Sequence, residues 1–262
     1  MNFIEVNGTA LRYEMSGSGA STLVLIHEMG GTLESWDVVA PRFAAKRKVL
    51  RYDTRGAGLS QKVRGNLTID TMADDLMALM DALGIAGKVA LAGVAVGGAI
   101  ALHTAVRYPQ RVAAVVASSP AIGVAPDRHA ALLTRVEKME REGLHAVLDT
   151  LDNGYPAELR GDAQRFAAFR ARWLGSDPSS FSAIYRMLIA TDLQPELSRI
   201  ACPVLVTAGT FDRVRPPQLV EPVARAIPGA RYAVLETGHY APVATPELYA
   251  RTIGEFLDAV GV

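Results

Sequence analysis

The sequence predicts an α/β fold, in which a mostly parallel central sheet carries helices on both faces and a helical segment is inserted. Short runs that are apolar throughout alternate along the chain with segments of helical periodicity. Strands that are apolar on both faces are typical of a parallel sheet covered on both sides. Between Ser119 and Ile200 this alternation stops, and roughly eighty residues of helical character replace it, too many for a loop.

The predicted strands are of two kinds. Residues 3–6 and 11–15 are predicted to form an antiparallel hairpin, because Asn7 and Gly8 between them supply the positive φ angles of a tight turn. The other strands are continuous apolar runs, as expected of buried parallel strands. These runs are residues 23–26, 49–52, 89–91, 112–116, 204–206 and 232–235.

Two helices of the core can be placed from the sequence. Residues 71–83 have apolar side chains at three- and four-residue spacing, and Gly84 then ends the helix. Residues 99–107 form the second helix, which ends before Pro109. Both helices are expected to pack an apolar face on the sheet.

The helical insertion predicts a cap, or lid, over one edge of the core. We assign residues 1–120 and 198–262 to the core and residues 121–197 to the cap. The cap has more large apolar side chains than a thin helical layer needs, so we expect some to line an apolar pocket. The alternative is that these side chains only pack against one another in the core of the cap. These side chains are Phe166, Phe169, Trp173, Phe181, Tyr185 and Met187, with Trp173 and Tyr185 as candidate substrate contacts.

Composition excludes several classes of protein. With 262 residues, 50% of them hydrophobic, the chain can bury a large core and is neither disordered nor fibrous. Its 27 basic and 27 acidic residues cancel, so we expect a small-molecule partner and no nucleic acid or membrane. The N-terminus has no basic segment followed by an apolar run, which predicts a cytoplasmic protein. Nothing in the sequence predicts an oligomeric state.

The cysteine and the isolated histidines do not indicate a metal or redox site. Cys202 is the only cysteine and lies beside an apolar strand, which predicts a buried, unreactive thiol in a reducing compartment. His103, His129 and His145 have no partners at metal-ligand spacing. No phosphate-loop or dinucleotide fingerprint is present. We therefore expect neither a metal nor a cofactor.

Residues 89–98 carry the strongest chemical signal. They read Val-Ala-Leu-Ala-Gly-Val-Ala-Val-Gly-Gly, a strand followed by Gly-x-Ala-x-Gly and a helix. This is the context of a nucleophile elbow, in which flanking glycines relieve the crowding of a sharp turn, but Ala95 occupies the central position. Asp212 and His239 follow the last two core strands, in the order nucleophile position, acid, histidine. Together they predict a catalytic triad without its serine.

With these residues the chain resembles the α/β-hydrolase superfamily over essentially its full length. Residues 25–31, Leu-Ile-His-Glu-Met-Gly-Gly, are similar to the oxyanion-loop segment after the third strand. Residues 53–60, Asp-Thr-Arg-Gly-Ala-Gly-Leu-Ser, are similar to the turn after the fourth. The segment 192–212 more loosely resembles the cap exit of 3-oxoadipate enol-lactonases and related lactone, ester and carbon–carbon bond hydrolases.

The resemblance implies an acyl-enzyme mechanism that this chain cannot complete. In the family, a serine attacks a carbonyl, a histidine takes its proton, and two backbone N–H groups stabilise the oxyanion. The resemblance assigns these roles to the position of Ala95, to His239 oriented by Asp212, and to the N–H groups of Met29 and Val96. Removing the nucleophile of subtilisin costs about 10⁶-fold in kcat. We therefore expect an almost inactive chain.

Three explanations for Ala95 remain open at this point. The first explanation is that alanine was put in place of a native serine to trap a bound substrate. The second is that the chain is a natural pseudo-hydrolase that binds a ligand without turnover. Alternatively, His239 activates water directly. We favour the first, because the glycines of the elbow, Asp212, His239 and the oxyanion loop all persist.

Charged residues beside the triad give further candidates for substrate binding. Glu28 stands where the family usually has glycine, and either contacts substrate or is a solvated side chain or a partner of Arg55. Arg213 and Arg215 follow Asp212 closely. They are either ordinary surface residues or groups that hold a carboxylate-bearing substrate.

Overall fold

The computed structural model describes residues 2–262 and contains an eight-stranded sheet. The strands are β1 (Asn2–Val6), β2 (Thr9–Ser16), β3 (Thr22–Ile26), β4 (Lys48–Tyr52), β5 (Val89–Val94), β6 (Val112–Ser118), β7 (Val204–Gly209) and β8 (Arg231–Leu235). Their order across the sheet is β1-β2-β4-β3-β5-β6-β7-β8. The β1/β2 and β2/β4 pairs are antiparallel and the other pairs are parallel, which confirms the predicted α/β fold and its initial hairpin.

Helices cover the sheet and form the insertion. The helices are α1 (Ala40–Ala44), α2 (Ile69–Ala82), α3 (Val96–Arg107), α4 (His129–Glu142), α5 (Asp149–Gly154), α6 (Ala163–Leu174), α7 (Pro178–Ala190), α8 (Pro217–Ala226), α9 (Ala241–Ala244) and α10 (Pro246–Ala259). Short 3₁₀ turns occur at Leu33–Trp36, Pro126–Arg128, Leu144–Val147, Ala157–Leu159 and Gln194–Arg199.

Both predicted core helices exist but begin earlier than the sequence indicated. Helix α2 begins at Ile69 because the Thr68 side chain accepts a hydrogen bond from the Thr71 N–H at 3.1 Å, which caps its first turn. Helix α3 begins at Val96, immediately after Ala95. The glycines that had suggested a later start lie inside its first turn, where they allow close packing on the sheet.

Side chains alternate between two apolar layers on either side of the sheet. Along β3, Val24 and Ile26 join the cluster formed with α2 and α3, whereas Leu23 and Leu25 join the cluster formed with α1 and α10. All four are fully buried. This double burial explains why the strands read as continuous apolar runs rather than as alternating ones.

The insertion packs on the core through its own apolar cluster. Helices α4 to α7 lie between β6 and β7, and each contributes buried side chains to a cluster that includes Tyr240 and Val243, which follow β8. An isolated β-bridge between Gly123 and Asp192 joins the two ends of the insertion. Cys202, at its exit, is half-buried rather than fully buried as predicted, and burial raises the pKa of its thiol.

Candidate active site

The turn between β5 and α3 fixes Ala95 in a strained conformation. Ala95 has φ 51° and ψ −111°, angles that residues other than glycine rarely adopt. Its N–H donates to the Ser118 carbonyl at 2.9 Å, and its carbonyl accepts from the N–H groups of Ala99 and Ala121. The Ala95 methyl group therefore occupies a sharp strand–helix turn at the carboxyl edge of the sheet.

The glycines on either side of Ala95 are required by close approach of the backbone. A Cβ atom at Gly93 would overlap the carbonyl oxygen of Gly97, and a Cβ atom at Gly97 would overlap the carbonyl of Ile26 in β3. Since a side chain at either position would displace backbone, the Gly-x-Ala-x-Gly pattern has a steric cause here. This is the crowding that the sequence predicted.

Asp212 and His239 lie together after the adjacent strands β7 and β8. The His239 Nδ1 is 2.8 Å from the Asp212 Oδ2, and both side chains are buried. The other carboxylate oxygen, Oδ1, accepts hydrogen bonds from the N–H groups of Val214 and Arg215. With Nδ1 donating to the carboxylate, Nε2 is the nitrogen of the neutral ring that can accept a proton.

The surroundings of Asp212 favour its ionised form. Burial opposes ionisation, but the charge and hydrogen bond of His239 and the N–H donor of Arg215 outweigh it, so the pKa of Asp212 lies below its usual value. The side chain of Ser119, the residue after β6, also lowers the pKa of Asp212. An anionic Asp212 orients His239 and stabilises the imidazolium that would form during proton transfer.

The cap contributes directly to the position of His239. The His239 N–H donates to the carbonyl of Gly154, the last residue of α5, at 2.8 Å. Tyr240 packs edge-on against the His239 ring, with 5.2 Å between the ring centroids. Sequence reasoning missed Gly154 and Tyr240. Only a contact across more than eighty residues of chain reveals Gly154, whereas the position of Tyr240 directly after His239 was an available signal.

A second histidine holds the loop after β3. The His27 Nδ1 lies 2.7 Å from the Glu28 carbonyl oxygen, and its Nε2 accepts the Thr54 N–H at 3.0 Å. Because the Thr54 backbone N–H can only donate and the Glu28 carbonyl can only accept, the Nδ1 of His27 carries the proton. The loop segment and the turn after β4, both singled out in the sequence, are thus joined through one buried ring.

Met29 and Val96 supply the two N–H groups assigned to the oxyanion hole. Val96 is the first residue of α3, and the first N–H groups of a helix have no acceptor within it. Within residues 2–262, the Met29 N–H has no hydrogen-bond acceptor. Because β3 and β5 are neighbours in the sheet, both donors lie at one edge, beside Ala95. The oxyanion hole remains a prediction, supported by this placement.

Glu28 is neither solvated nor a partner of Arg55, so that interpretation is wrong. Its side chain is fully buried, and its Oε1 accepts the Ser35 hydroxyl at 2.7 Å. Arg55 instead forms a two-contact ion pair with Asp75. The sequence could not reveal that Glu28 pairs with Ser35 and Arg55 with Asp75, because these partners look like any other polar residues in the sequence.

The two arginines after Asp212 point in different directions. Arg213 has an exposed side chain that lies 3.4 Å from Glu158 in the cap. Arg215 turns inward and donates to the Gly123 carbonyl at 3.1 Å. Burial lowers the pKa of Arg215 to about 10, against the opposing effect of Asp212. The structure therefore brings Arg215, and not Arg213, toward the interior beside the triad acid.

The aromatic side chains of the cap surround the oxyanion loop. Trp173 and Phe181 pack against Gly30, at positions that a side chain there would overlap. Phe181 in turn packs near Tyr185, and Phe169 lies 4.8 Å from Tyr240 between ring centroids. Trp173, Phe181 and Tyr185 share one apolar cluster with Met29, whereas Phe166 is only partly buried and Met187 joins the sheet layer. A pocket lined by them over Ala95 stays a prediction.

The described residues also bear on metal binding and on membrane insertion. No group of three or more His, Cys, Asp or Glu side chains within residues 2–262 could hold a metal ion. Among the described helices, none has the length and apolar character needed to cross a membrane.

Two known proteins with similar sequences match different lengths of this chain. The putative carbamate hydrolase RutD of Stutzerimonas stutzeri (strain A1501) is 29% identical over 239 residues, covering 88% of this chain and 90% of that protein. A dihydrolipoyllysine-residue acetyltransferase component of an acetoin cleaving system from Pseudomonas putida is 42% identical over 112 residues. That match spans 42% of this chain and 30% of the relative.

A solved structure and a protein family also match most of this chain. The crystal structure of the enol-lactonase from Burkholderia xenovorans LB400 has a TM-score of 0.92 and 30% identity, covering 98% of this chain and all of that one. The family Hydrolase_4, described as serine aminopeptidase, S33, matches residues 18–238. The chain therefore belongs to the Hydrolase_4 family of the α/β-hydrolase superfamily.

Proposed function

We propose that this chain is a hydrolase of a small ester, lactone, amide or activated ketone whose acyl-enzyme route is blocked because Ala95 replaces the nucleophilic serine. The observation that carries the proposal is the backbone of Ala95. A positive φ in an alanine costs about 1–2 kcal/mol. The strain is accounted for if the turn serves to present a side chain at position 95 to His239.

The mechanism follows from what each group could do with a serine at position 95. The His239 Nε2 would take the hydroxyl proton while the oxygen attacks the substrate carbonyl, and Asp212 would stabilise the resulting imidazolium. The oxyanion would accept hydrogen bonds from Met29 and Val96. His239 would then return its proton to the leaving group, and water deprotonated by the same histidine would hydrolyse the acyl-enzyme and regenerate the serine. With Ala95, the binding groups and the base remain, but no bond to the enzyme can form.

The names of the relatives suggest the class of substrate. The enol-lactonase and the carbamate hydrolase are named for small molecules with a carbonyl carbon bonded to oxygen or nitrogen. Arg215, turned inward beside Asp212, is a candidate contact for a carboxylate-bearing substrate. Bond type depends on pocket shape, since one triad serves several carbonyl substrates.

The test is Ala95→Ser. A hydroxyl at the elbow should restore hydrolysis of p-nitrophenyl esters or small lactones by at least ~10³-fold over the unmodified chain. The variant should also become covalently labelled by a fluorophosphonate, with no metal or cofactor added. Initial rates and intact-protein mass spectrometry measure the two effects.

Ala95→Ser, His239→Ala is the matched control and should lose both properties. Failure of Ala95→Ser to label or hydrolyse any ester, lactone or amide would contradict the proposal. Binding without turnover, the second candidate function, would then explain why the chain carries a methyl group at position 95. Equal turnover by the unmodified chain and the Ala95→Ser variant would instead indicate water activated by His239.

A further inference from the structure

The C-terminal end of α5, in the cap, lies against the two loops that carry Asp212 and His239. The carbonyl of Asn153 accepts the Arg213 N–H at 3.3 Å, and the carbonyl of Gly154 accepts the His239 N–H at 2.8 Å. The last carbonyls of a helix have no donor within it, so these two can bind donors outside α5. One end of a cap helix is therefore hydrogen-bonded both to the loop after β7 and to the loop after β8.

No side chain fits between α5 and the loop after β8. A Cβ atom at Gly154 would lie 2.6 Å from the Tyr240 ring and 3.1 Å from the His239 Cβ atom. From the other side, a Cβ atom at Gly238 would lie 2.5 Å from the Gly154 carbonyl oxygen. Glycine at both positions lets the two backbones meet, and a methyl group at either position would push the helix and the loop apart.

Buried packing within the cap holds this end of α5 in place. Leu151 and Tyr155 flank the two hydrogen-bonding carbonyls along the chain, and both are fully buried. The Tyr155 ring packs on Phe166 and Phe169, with 5.1 and 5.9 Å between the ring centroids. The apolar cluster of the cap thus sets where the two carbonyls lie, whereas the strands of the sheet set where each loop begins.

We propose that Gly154 is a positioning residue for the pair formed by Asp212 and His239, which we call the dyad. With its neighbour Asn153 it bridges the loops after β7 and β8, and so sets the separation of the carboxylate and the imidazole. The Asp212 Oδ2 and the His239 Nδ1 are 2.8 Å apart, and a misplacement of about 1 Å can cost about 10²-fold in rate. This role rests on the proposed function for its catalytic effect, but the geometry of the dyad can be measured without catalysis.

The first measurement uses the unmodified chain and needs no turnover. The Nδ1 proton that His239 shares with Asp212 should give a low-field signal in proton NMR, assigned by its absence in His239→Gln. Gly154→Ala should shift this signal upfield or broaden it by exchange with water, because the added methyl group displaces His239. The Nδ1 proton of the buried His27 is an internal reference and should not move. Gly161→Ala, in the cap but with open space at its Cβ position, is the matched control and should leave both signals unchanged.

The second measurement uses the Ala95→Ser background. Gly154→Ala should lower kcat for a p-nitrophenyl ester by about 10-fold or more and leave KM within about twofold, because the dyad acts in the chemical step. A loss confined to KM, or equal losses of kcat in Gly154→Ala and Gly161→Ala, would overturn the positioning role. Absence of any activity in Ala95→Ser would contradict the proposed function instead, and the NMR signals of the unmodified chain would still decide the role of Gly154.

An unchanged His239 signal in a folded Gly154→Ala variant, as judged by circular dichroism, would also overturn the proposal. If Gly154→Ala does not fold, Leu159→Ala tests the same contact more gently. The Leu159 Cδ1 atom lies 3.1 Å from the Cβ position of Gly238, so its removal loosens the cap on the loop after β8. The His239 signal should then shift in the same direction but by less, and no shift in Leu159→Ala would reject the positioning role.

Discussion

The sheet edge and the cap hold the candidate site by different means. At the edge, backbone hydrogen bonds fix Ala95 between β6 and α3, and neighbouring carbonyls leave room only for glycine at Gly93 and Gly97. The cap instead relies on contacts between large side chains, such as Phe169 on Tyr240 and Trp173 on Phe181. The shape of the edge therefore depends on close backbone packing, whereas the cap depends on contacts between large side chains.

The two regions meet at His239. Its side chain bonds to Asp212 within the core, while its N–H bonds to Gly154 of the cap. The base of the site is thus positioned by both regions. Loss of cap packing should reach the dyad through this backbone contact, which gives a way to test the comparison.

The largest effect is expected from Trp173→Ala in the cap. Trp173 is fully buried, so its truncation should lower the free energy of unfolding by about 3–5 kcal/mol through lost contacts and a cavity. Denaturant unfolding followed by circular dichroism measures the change. Trp173→Phe is the matched control and should cost clearly less. A loss no larger than that of an exposed substitution would show that the cap does not depend on this side chain.

A smaller effect, with a defined pH dependence, is expected from Asp212→Asn at the sheet edge. The folded chain holds the pKa of Asp212 below its unfolded value of ~3.9, so the ionised group contributes stability above that pH. This contribution disappears as pH falls through the lowered pKa. The variant should therefore be less stable by about 1–3 kcal/mol near pH 7, and the difference should shrink below about pH 4.

Urea unfolding of both proteins at pH 7, 5 and 3 measures this dependence. Asp127→Asn, in which the side chain is exposed, should show no such trend. A difference between Asp212→Asn and the parent chain that is constant across the three pH values would indicate a steric effect rather than loss of the ionised group.

How far the sequence predicts the molecule depends on the range of the interaction. The strands, the elbow and the order of Asp212 and His239 were predictable because apolar runs, glycines and spacing are local signals. The burial of Glu28 was not, because it depends on Ser35 and on the folding of the loop over it. The direction of Arg213 was equally unpredictable, since its partner Glu158 lies in the cap, far along the chain.

A still smaller effect, of opposite sign, is expected from Ala95→Gly. Glycine adopts a positive φ without steric cost, so the change should raise the free energy of unfolding by about 0.5–1 kcal/mol. Ala99→Gly, within α3, is the control and should lower it by a similar amount. Thermal unfolding of the two variants measures both. If both glycines destabilise equally, the elbow carries no strain, and the argument that the turn serves to present a side chain loses its support.

The smallest effect is expected from Arg213→Ala. The Arg213 side chain is exposed and its pair with Glu158 is solvated, so the free energy of unfolding should change by less than about 0.5 kcal/mol.

In the Ala95→Ser background, Arg213→Ala should also leave the ratio of kcat/KM for carboxylate-bearing and neutral esters unaltered. Arg215→Ala in the same background should reduce that ratio by about 10-fold or more, because a charge-assisted hydrogen bond near the interior would be lost. A selective loss of carboxylate-bearing substrates in Arg213→Ala, with none in Arg215→Ala, would reverse the assignment and indicate that Arg213 binds the substrate carboxylate.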